Sequence, residues 1–297
     1  MKFIITDYSS NSQTESLYFH KGLSLLEGCS SALWNTQRIS AYDIFDMVKP
    51  DIFMTHINSI STDALSYLKK EDSKIGLIVN ITGANQSQVT NTENFLKTHN
   101  INCLFFFTNA DEINITTSKM KVLSIQLGAN IFPSHGIALS YRLNKGIMIS
   151  HQSQISPTNN VDDQSYHYIS HNADIKDIAD IVLPVDPLCG LYKHYSEIVF
   201  KYFSTVVPQE FYDSIYHGNK TYFDIDDVEK KSMINSKFKK IFNIDSDICD
   251  SSSIDSNIIQ SRVRNKHTCL HRLKSLLSQL PCHDIVQRLQ VIIGDIK

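Results

Sequence analysis

The sequence predicts an α/β protein built of two Rossmann-like domains, each a doubly wound parallel sheet, and three observations lead there. The chain has 297 residues, enough for two domains that each bury a core. From residue 2 to about residue 132, short apolar runs alternate with helical patterns, the mark of repeated strand–helix units. The stretch from Gly190 to Asp227, GLYKHYSEIVFKYFSTVVPQEFYDSIYHGNKTYFDIDD, reads as helix, strand, helix and strand, an order that suits a parallel sheet.

In the first half, strands are expected at Phe3 to Thr6, Ala32 to Asn35, Ile52 to His56, Ile75 to Ile81, Cys103 to Thr108 and Val122 to Ile125. The helix from about Thr14 to Glu27 stops at Gly28, which accepts the left-handed backbone of a helix end. The next, Tyr42 to Val48, stops ahead of Pro50, and two more run near Thr62 to Lys70 and Asn91 to His99. The domain boundary falls near Pro133, giving domains 1–133 and 134–257 and closing helices over 258–297. Strands at Gly146 to Ser150, Tyr166 to Ser170, Ile181 to Val185 and Thr205 to Val207 build the second domain, with the polar loop HQSQISPTNNVDDQS between its first two. Beyond Asp227 a Lys-rich helix turns Met233, Phe238, Ile241 and Phe242 to a core, and the last helix, Asp284 to Ile293, does the same with Ile285 and Leu289.

Composition narrows the classes of function. A formal net charge of −3 supplies no global attraction to nucleic acid or anionic membrane. The 6 cysteines are scattered without a Cys-x-x-Cys pair, which reads as reduced thiols in a cytoplasmic protein. MKFIITDY runs straight into a strand, so no signal peptide is expected, and apolar runs such as CLFFF are too short to span a bilayer. The first loop, DYSSNSQT, lacks the glycines of a dinucleotide fingerprint, which argues against NAD or FAD there.

In a parallel sheet the functional loops lie beyond the carboxyl ends of the strands. Here those loops hold Asp7, Tyr8 and Ser9, then His56 and Asn58, Thr82 and Gly83, and Thr108 and Asn109. All but Gly83 carry side chains that hydrogen-bond a sugar, and most are equally at home as caps or turn residues. Tyr8, Ser9, Thr82, Gly83 and Asn109 form the candidate acceptor-binding group. Asp7, ionised at neutral pH, and His56, titrating near it, are the candidate catalytic bases. In the second half, a helix opening beside Gly190 directs its N–H groups and positive dipole end beyond the strand ADIVLPVD, a place for a phosphate. Glu197, about two turns on, either accepts hydrogen bonds from neighbouring ribose hydroxyls or is a solvated helix residue.

This segment resembles the donor-nucleotide site of two-domain glycosyltransferases, specifically the CgeB-like, spore-maturation type. In that family a Glu in an xxEaxxxG helix binds the ribose of a sugar nucleotide, and a strand, a short helix ending in Gly and a vxfxd strand follow. Glu197, Thr205 to Val207, Gly218 and YFDID stand in that order. NKHTCLHRLKSLLSQL is similar to the family's HTYxHRxxxLL helix through His267, Thr268, His271 and Arg272. VLSIQLGANIFPSHG is similar to its crossover between domains through Gly128, Phe132 and Pro133, with Asn130 where Asp is usual.

The resemblance implies the GT-B arrangement, two domains facing across a cleft with the terminal helices packing back on the first. It also implies transfer of a sugar from a nucleotide-sugar, a UDP- or GDP-sugar foremost, to an acceptor. Lys193 and the helix N–H groups would bear the leaving diphosphate's charge, with Gly190, Tyr195 and Ser170 completing the donor-binding group around Glu197. No Asp-x-Asp motif stands in a loop placed to hold a metal–diphosphate, so no metal or other cofactor is required beyond the nucleotide-sugar co-substrate. The loop HQSQISPTNNVDDQS stands where the family has a substantial helix, which shortens the second domain, and Phe203 and Ser204 replace the family's small Gly. Retention and inversion stay open. So do three other readings: a second enzyme class such as a nucleotide-sugar epimerase or a polyol-phosphate transferase, a non-catalytic binding or assembly protein on a decayed transferase fold, and a transferase acting on modified DNA through the basic run Arg262, Arg264, Lys266, Arg272 and Lys274.

Overall fold

The computed structural model describes residues 1–6, 13–70, 74–108, 117, 120–125, 128–129, 143–150, 166–170, 195–201, 207, 209–245, 247–250 and 255–295. The chain divides into two compact units, Met1–Gln126 with Cys269–Lys297, and Leu127–Thr268. The first opens with β1 (Lys2–Thr6), α1 (Gln13–Ser24), β2 (Ser30–Trp34), α2 (Ala41–Val48), β3 (Ile52–His56), α3 (Thr62–Lys70), β4 (Gly76–Asn80), α4 (Gln86–Thr98), β5 (Cys103–Thr108) and β6 (Lys121–Ile125). The second contains β7 (Leu143–Ser150), β8 (Tyr166–Ser170), β9 (Tyr195–Lys201), α5 (Gln209–Tyr216), β10 (Lys220–Phe223), α6 (Val228–Phe242) and α7 (Ser256–Lys266). The last two helices, α8 (Cys269–Leu277) and α9 (His283–Asp295), belong to the first unit.

The first sheet runs β2-β1-β3-β4-β5-β6, every neighbouring pair parallel. Its inner strands are nearly unbroken apolar runs, as expected where helices cover both faces. Trp34 packs against Phe45 and Phe53, with ring centroids 6.0 and 5.9 Å apart. Helix α8 lies close on α1 because residue 22 is glycine: a Cβ there would stand 3.0 Å from Leu270 Cδ2. Local chemistry sets the helix ends. Ser40 caps α2 by accepting from the Asp43 N–H, and Lys49 closes it at φ 50°. Helix α4 begins at Gln86, ahead of the expected Asn91, because Asn85 and Gln88 form a reciprocal capping box.

The second sheet runs β10-β9-β7-β8, again all parallel. Read from the other side, β8-β7-β9-β10 repeats the winding of β2-β1-β3-β4: one strand is added beside the first, and the next described strand lies on its other side. Each sheet therefore has a switch point, between β1 and β3 and between β7 and β9. The second core centres on Phe211, stacked on Phe223 at 5.1 Å and edge-on to Phe238 at 4.6 Å. Gly218, at φ 81°, ends the α5 turn, and Asp227 caps α6 by accepting from the Glu229 and Lys230 N–H groups at 3.0 and 3.1 Å.

One expectation is overturned. The residues around Glu197 form strand β9, not a helix, held between β7 and β10. Ile198, Val199 and Phe200 are a short β-branched and aromatic run, buried as a central parallel strand requires. Of the expected strand Thr205 to Val207, Val207 is described and lies outside any strand. Ile181 to Val185, the loop HQSQISPTNNVDDQS, and Asn130, Phe132 and Pro133 lie outside the described residues. In the second unit Ala129 forms a parallel bridge with Thr268 and donates to the His267 carbonyl at 2.7 Å. A Cβ on Gly128 would stand 2.8 Å from the Thr268 carbonyl, so two stretches widely separated in sequence meet at a position only glycine fits. Among the described residues no helix is long and apolar enough to cross a membrane.

Candidate ligand-binding site

At the carboxyl edge of the first sheet, strand after strand ends its apolar run on a polar residue: Thr6 in β1, Thr55 and His56 in β3, Asn80 in β4 and Thr108 in β5. All five are buried. Parallel pairing sets β1 beside β3, β3 beside β4 and β4 beside β5, so these ends form one continuous floor next to the switch point.

The floor is wired by hydrogen bonds whose directions follow from donor counting. Thr6 Oγ1 donates to Thr55 Oγ1 at 3.1 Å, and Thr55 Oγ1 donates to the His56 carbonyl at 3.2 Å. Thr82, in the turn after β4, donates its hydroxyl to Asn80 Oδ1 at 2.5 Å and its backbone N–H to the same oxygen at 2.9 Å. With that hydroxyl proton spent, Thr82 Oγ1 accepts from Thr108 Oγ1 at 3.1 Å and from the Thr108 N–H at 3.0 Å. Gln88, at the start of α4, donates to Asn58 Oδ1 at 3.2 Å and ties that helix to the loop after β3. Gly83 follows at φ 73°, with nothing within 4 Å of where a Cβ would stand, so its backbone borders open space.

His56 is engaged through both ring nitrogens. Nδ1 accepts from the Asn58 N–H at 3.2 Å, which leaves Nε2 as the protonated nitrogen, donating to the Thr82 carbonyl at 3.0 Å. Burial pushes its pKa below the usual histidine value, outweighing the bond to Thr82, and holds the ring neutral. In this arrangement His56 has no nitrogen available to take a substrate proton. It fixes the loops after β3 and β4 through these two bonds. Asp7, Tyr8 and Ser9 follow Thr6 in the chain but lie outside the described residues, as do Asn109, Gly190 and Lys193. Of the acceptor-binding group, Thr82 and Gly83 are therefore the members seen at this edge.

The expected donor-binding group divides. Ser170 ends β8 at the carboxyl edge of the second sheet, where register sets Ser150 of β7 between it and Lys201 of β9. Tyr195 and Glu197 sit in the amino half of β9. Glu197 lies across from Lys220, the first residue of β10, and pairs with its ammonium at 3.8 Å. At about 3.3 Å per residue, Glu197 is roughly 13 Å short of the strand's carboxyl end. Tyr195 is fully buried, its carbonyl accepts from Asn219 Nδ2 at 2.7 Å, and burial raises its phenol pKa. Neither occupies the edge where ligands of such sheets bind. Among the described residues no group of three or more His, Cys, Asp and Glu side chains gathers to hold a metal.

Sequence reasoning passed over Thr6, Thr55, Asn80, Ser150 and Lys201. For Thr6 and Asn80 the signal was present: a polar residue closes the buried runs KFIIT and GLIVN.

No protein-family model matches the chain, and no curated protein matches it. Among solved structures, spinosyn forosaminyltransferase SpnP is similar over 99% of both chains, with a TM-score of 0.46 and 9% sequence identity. A likeness at that level carries no argument about this chain's activity.

Proposed function

We propose that the chain is a nucleotide-sugar-dependent glycosyltransferase of the GT-B kind, related to the CgeB-like enzymes. The observation that carries the reading is the repeated winding: two separate all-parallel α/β units, each with a switch point, with the last two helices returned to the first unit. The acceptor is assigned to the loops that rise from the floor of the first unit, where the Gly83 backbone borders open space. The donor is assigned to the carboxyl edge of the second sheet, where Ser150, Ser170 and Lys201 end neighbouring strands. Lys201 ends β9 at the switch-point register, a position where a lysine suits a leaving diphosphate. Asp7, next in chain to Thr6, is the remaining candidate base.

A second reading, a binding or assembly protein without catalysis, is favoured by the engagement of both His56 nitrogens and by the distance of Glu197 from the ligand edge. A thermal-shift screen with UDP-, GDP-, CDP- and ADP-sugars separates the two. A donor present at about a hundred times its Kd stabilises by ~2.7 kcal/mol. That shift is expected to vanish in Lys201→Ala and persist in Glu197→Ala, with transfer or hydrolysis of the donor visible by mass spectrometry. A shift without turnover supports the binding protein, and no shift with any nucleotide-sugar overturns the transferase.

A further inference from the structure

We propose that the amino edge of the first sheet, opposite the polar floor, is a second small-molecule site for a phosphate-bearing ligand with an apolar body. A cavity of about 510 Å³ opens there, within the range of ~300–1,000 Å³ usual for small-molecule sites. Lys69 at the end of α3, Lys74 ahead of β4 and Lys121 opening β6 line it, and among the described residues no Asp or Glu does. None of these three ammonium groups has a hydrogen bond or ion pair among the described residues. The chain as a whole is acidic, with a formal charge of −3, so the local excess is not a reflection of composition.

The simplest rival explanation is that the lysines complement helix carboxyl ends. Helices α3, α4 and α8 all finish beside this cavity. Each end carries about half a negative charge, so three offset roughly half of the positive charge of three lysines. Among the described residues a net positive charge is left for a ligand to neutralise. Around it Ile75, Leu280 and Pro281, which all keep exposed surface, and Cys103 supply an apolar wall. Burial pushes the Cys103 thiol well up, which keeps it protonated and makes it part of that wall. Cationic rim and apolar wall together select an anion attached to a hydrocarbon or aromatic body.

The test is calorimetric titration of the whole chain with phenyl phosphate and with inorganic phosphate at low salt. Both are expected to saturate a single site, with phenyl phosphate several-fold tighter. Lys74→Ala combined with Lys121→Ala should weaken each by about tenfold, the loss expected when charge-assisted hydrogen bonds go. Lys121→Gln, a single neutral change at an exposed position, gives the same readout should the double variant not fold. Absence of saturable binding, or unchanged binding in the lysine variants, overturns the site. Phenyl phosphate binding no tighter than inorganic phosphate overturns the ligand class. These variants lie in the first unit, away from Lys201 in the second, so the nucleotide-sugar reading stands or falls separately.

Discussion

Replacing His56 with alanine removes a ring that holds two loops together. The Asn58 N–H and the Thr82 carbonyl each lose a partner, at 3.2 and 3.0 Å, in a position only 7% exposed. At about 1 kcal/mol for each hydrogen bond, plus the cavity left by the ring, the loss is about 2–4 kcal/mol. Trp34 is the chain's 1 tryptophan and is buried in the same unit's core, so its fluorescence reports the unfolding of that unit. With a urea slope of about 2 kcal/mol per molar, the midpoint should fall by about 1–2 M.

The pH dependence gives an independent readout. The folded state resists protonation of His56, while the unfolded chain accepts the proton near the ordinary value of 6.5. Stability is therefore full above that value and is lost as pH falls from it toward the depressed folded value, by at most about 1.4 kcal/mol per pH unit for one group. His20 shifts in the same direction, from burial first and Lys21 second, so the measurement is the difference between wild type and variant. A His56→Ala chain with an unchanged midpoint and an undiminished loss of stability below pH 6.5 would refute the positioning role.

Two further outcomes are expected. Gly128→Ala forces a Cβ to 2.8 Å from the Thr268 backbone, which cannot yield as a side chain would, and should cost about 2 kcal/mol or more in thermal unfolding; an unchanged melting temperature would show that the bridge relaxes freely. Asn85→Ala breaks the capping box of α4, and about 1 kcal/mol of stability should go with it. Faster amide exchange in the first turn of α4 is the local check, and exchange identical to wild type there would contradict it.

The first six strands were legible because each buried run is bounded by local punctuation. IFMTH and CLFFFT were located to the residue, and helix α3 likewise. The start of α4 was missed because its signal is a cap and not an apolar period. The edge floor was half legible: His56, Thr82 and Thr108 were read as ligand-facing, but Thr55 and Asn80 looked like interior residues of their strands and Thr6 like a plain strand end. Their shared position depends on which strands pair.

The amino-acid sequence by itself determined the strand and helix segments of the first unit, since apolar runs, caps and left-handed glycines act over a few neighbouring residues. Tertiary structure alone decided that Glu197 lies within a strand and that both nitrogens of His56 are engaged. A short run such as EIVF suits a buried helix turn or a central strand equally well. The choice is made by hydrogen bonds to β7 and β10, strands whose sequence separation no local signal spans.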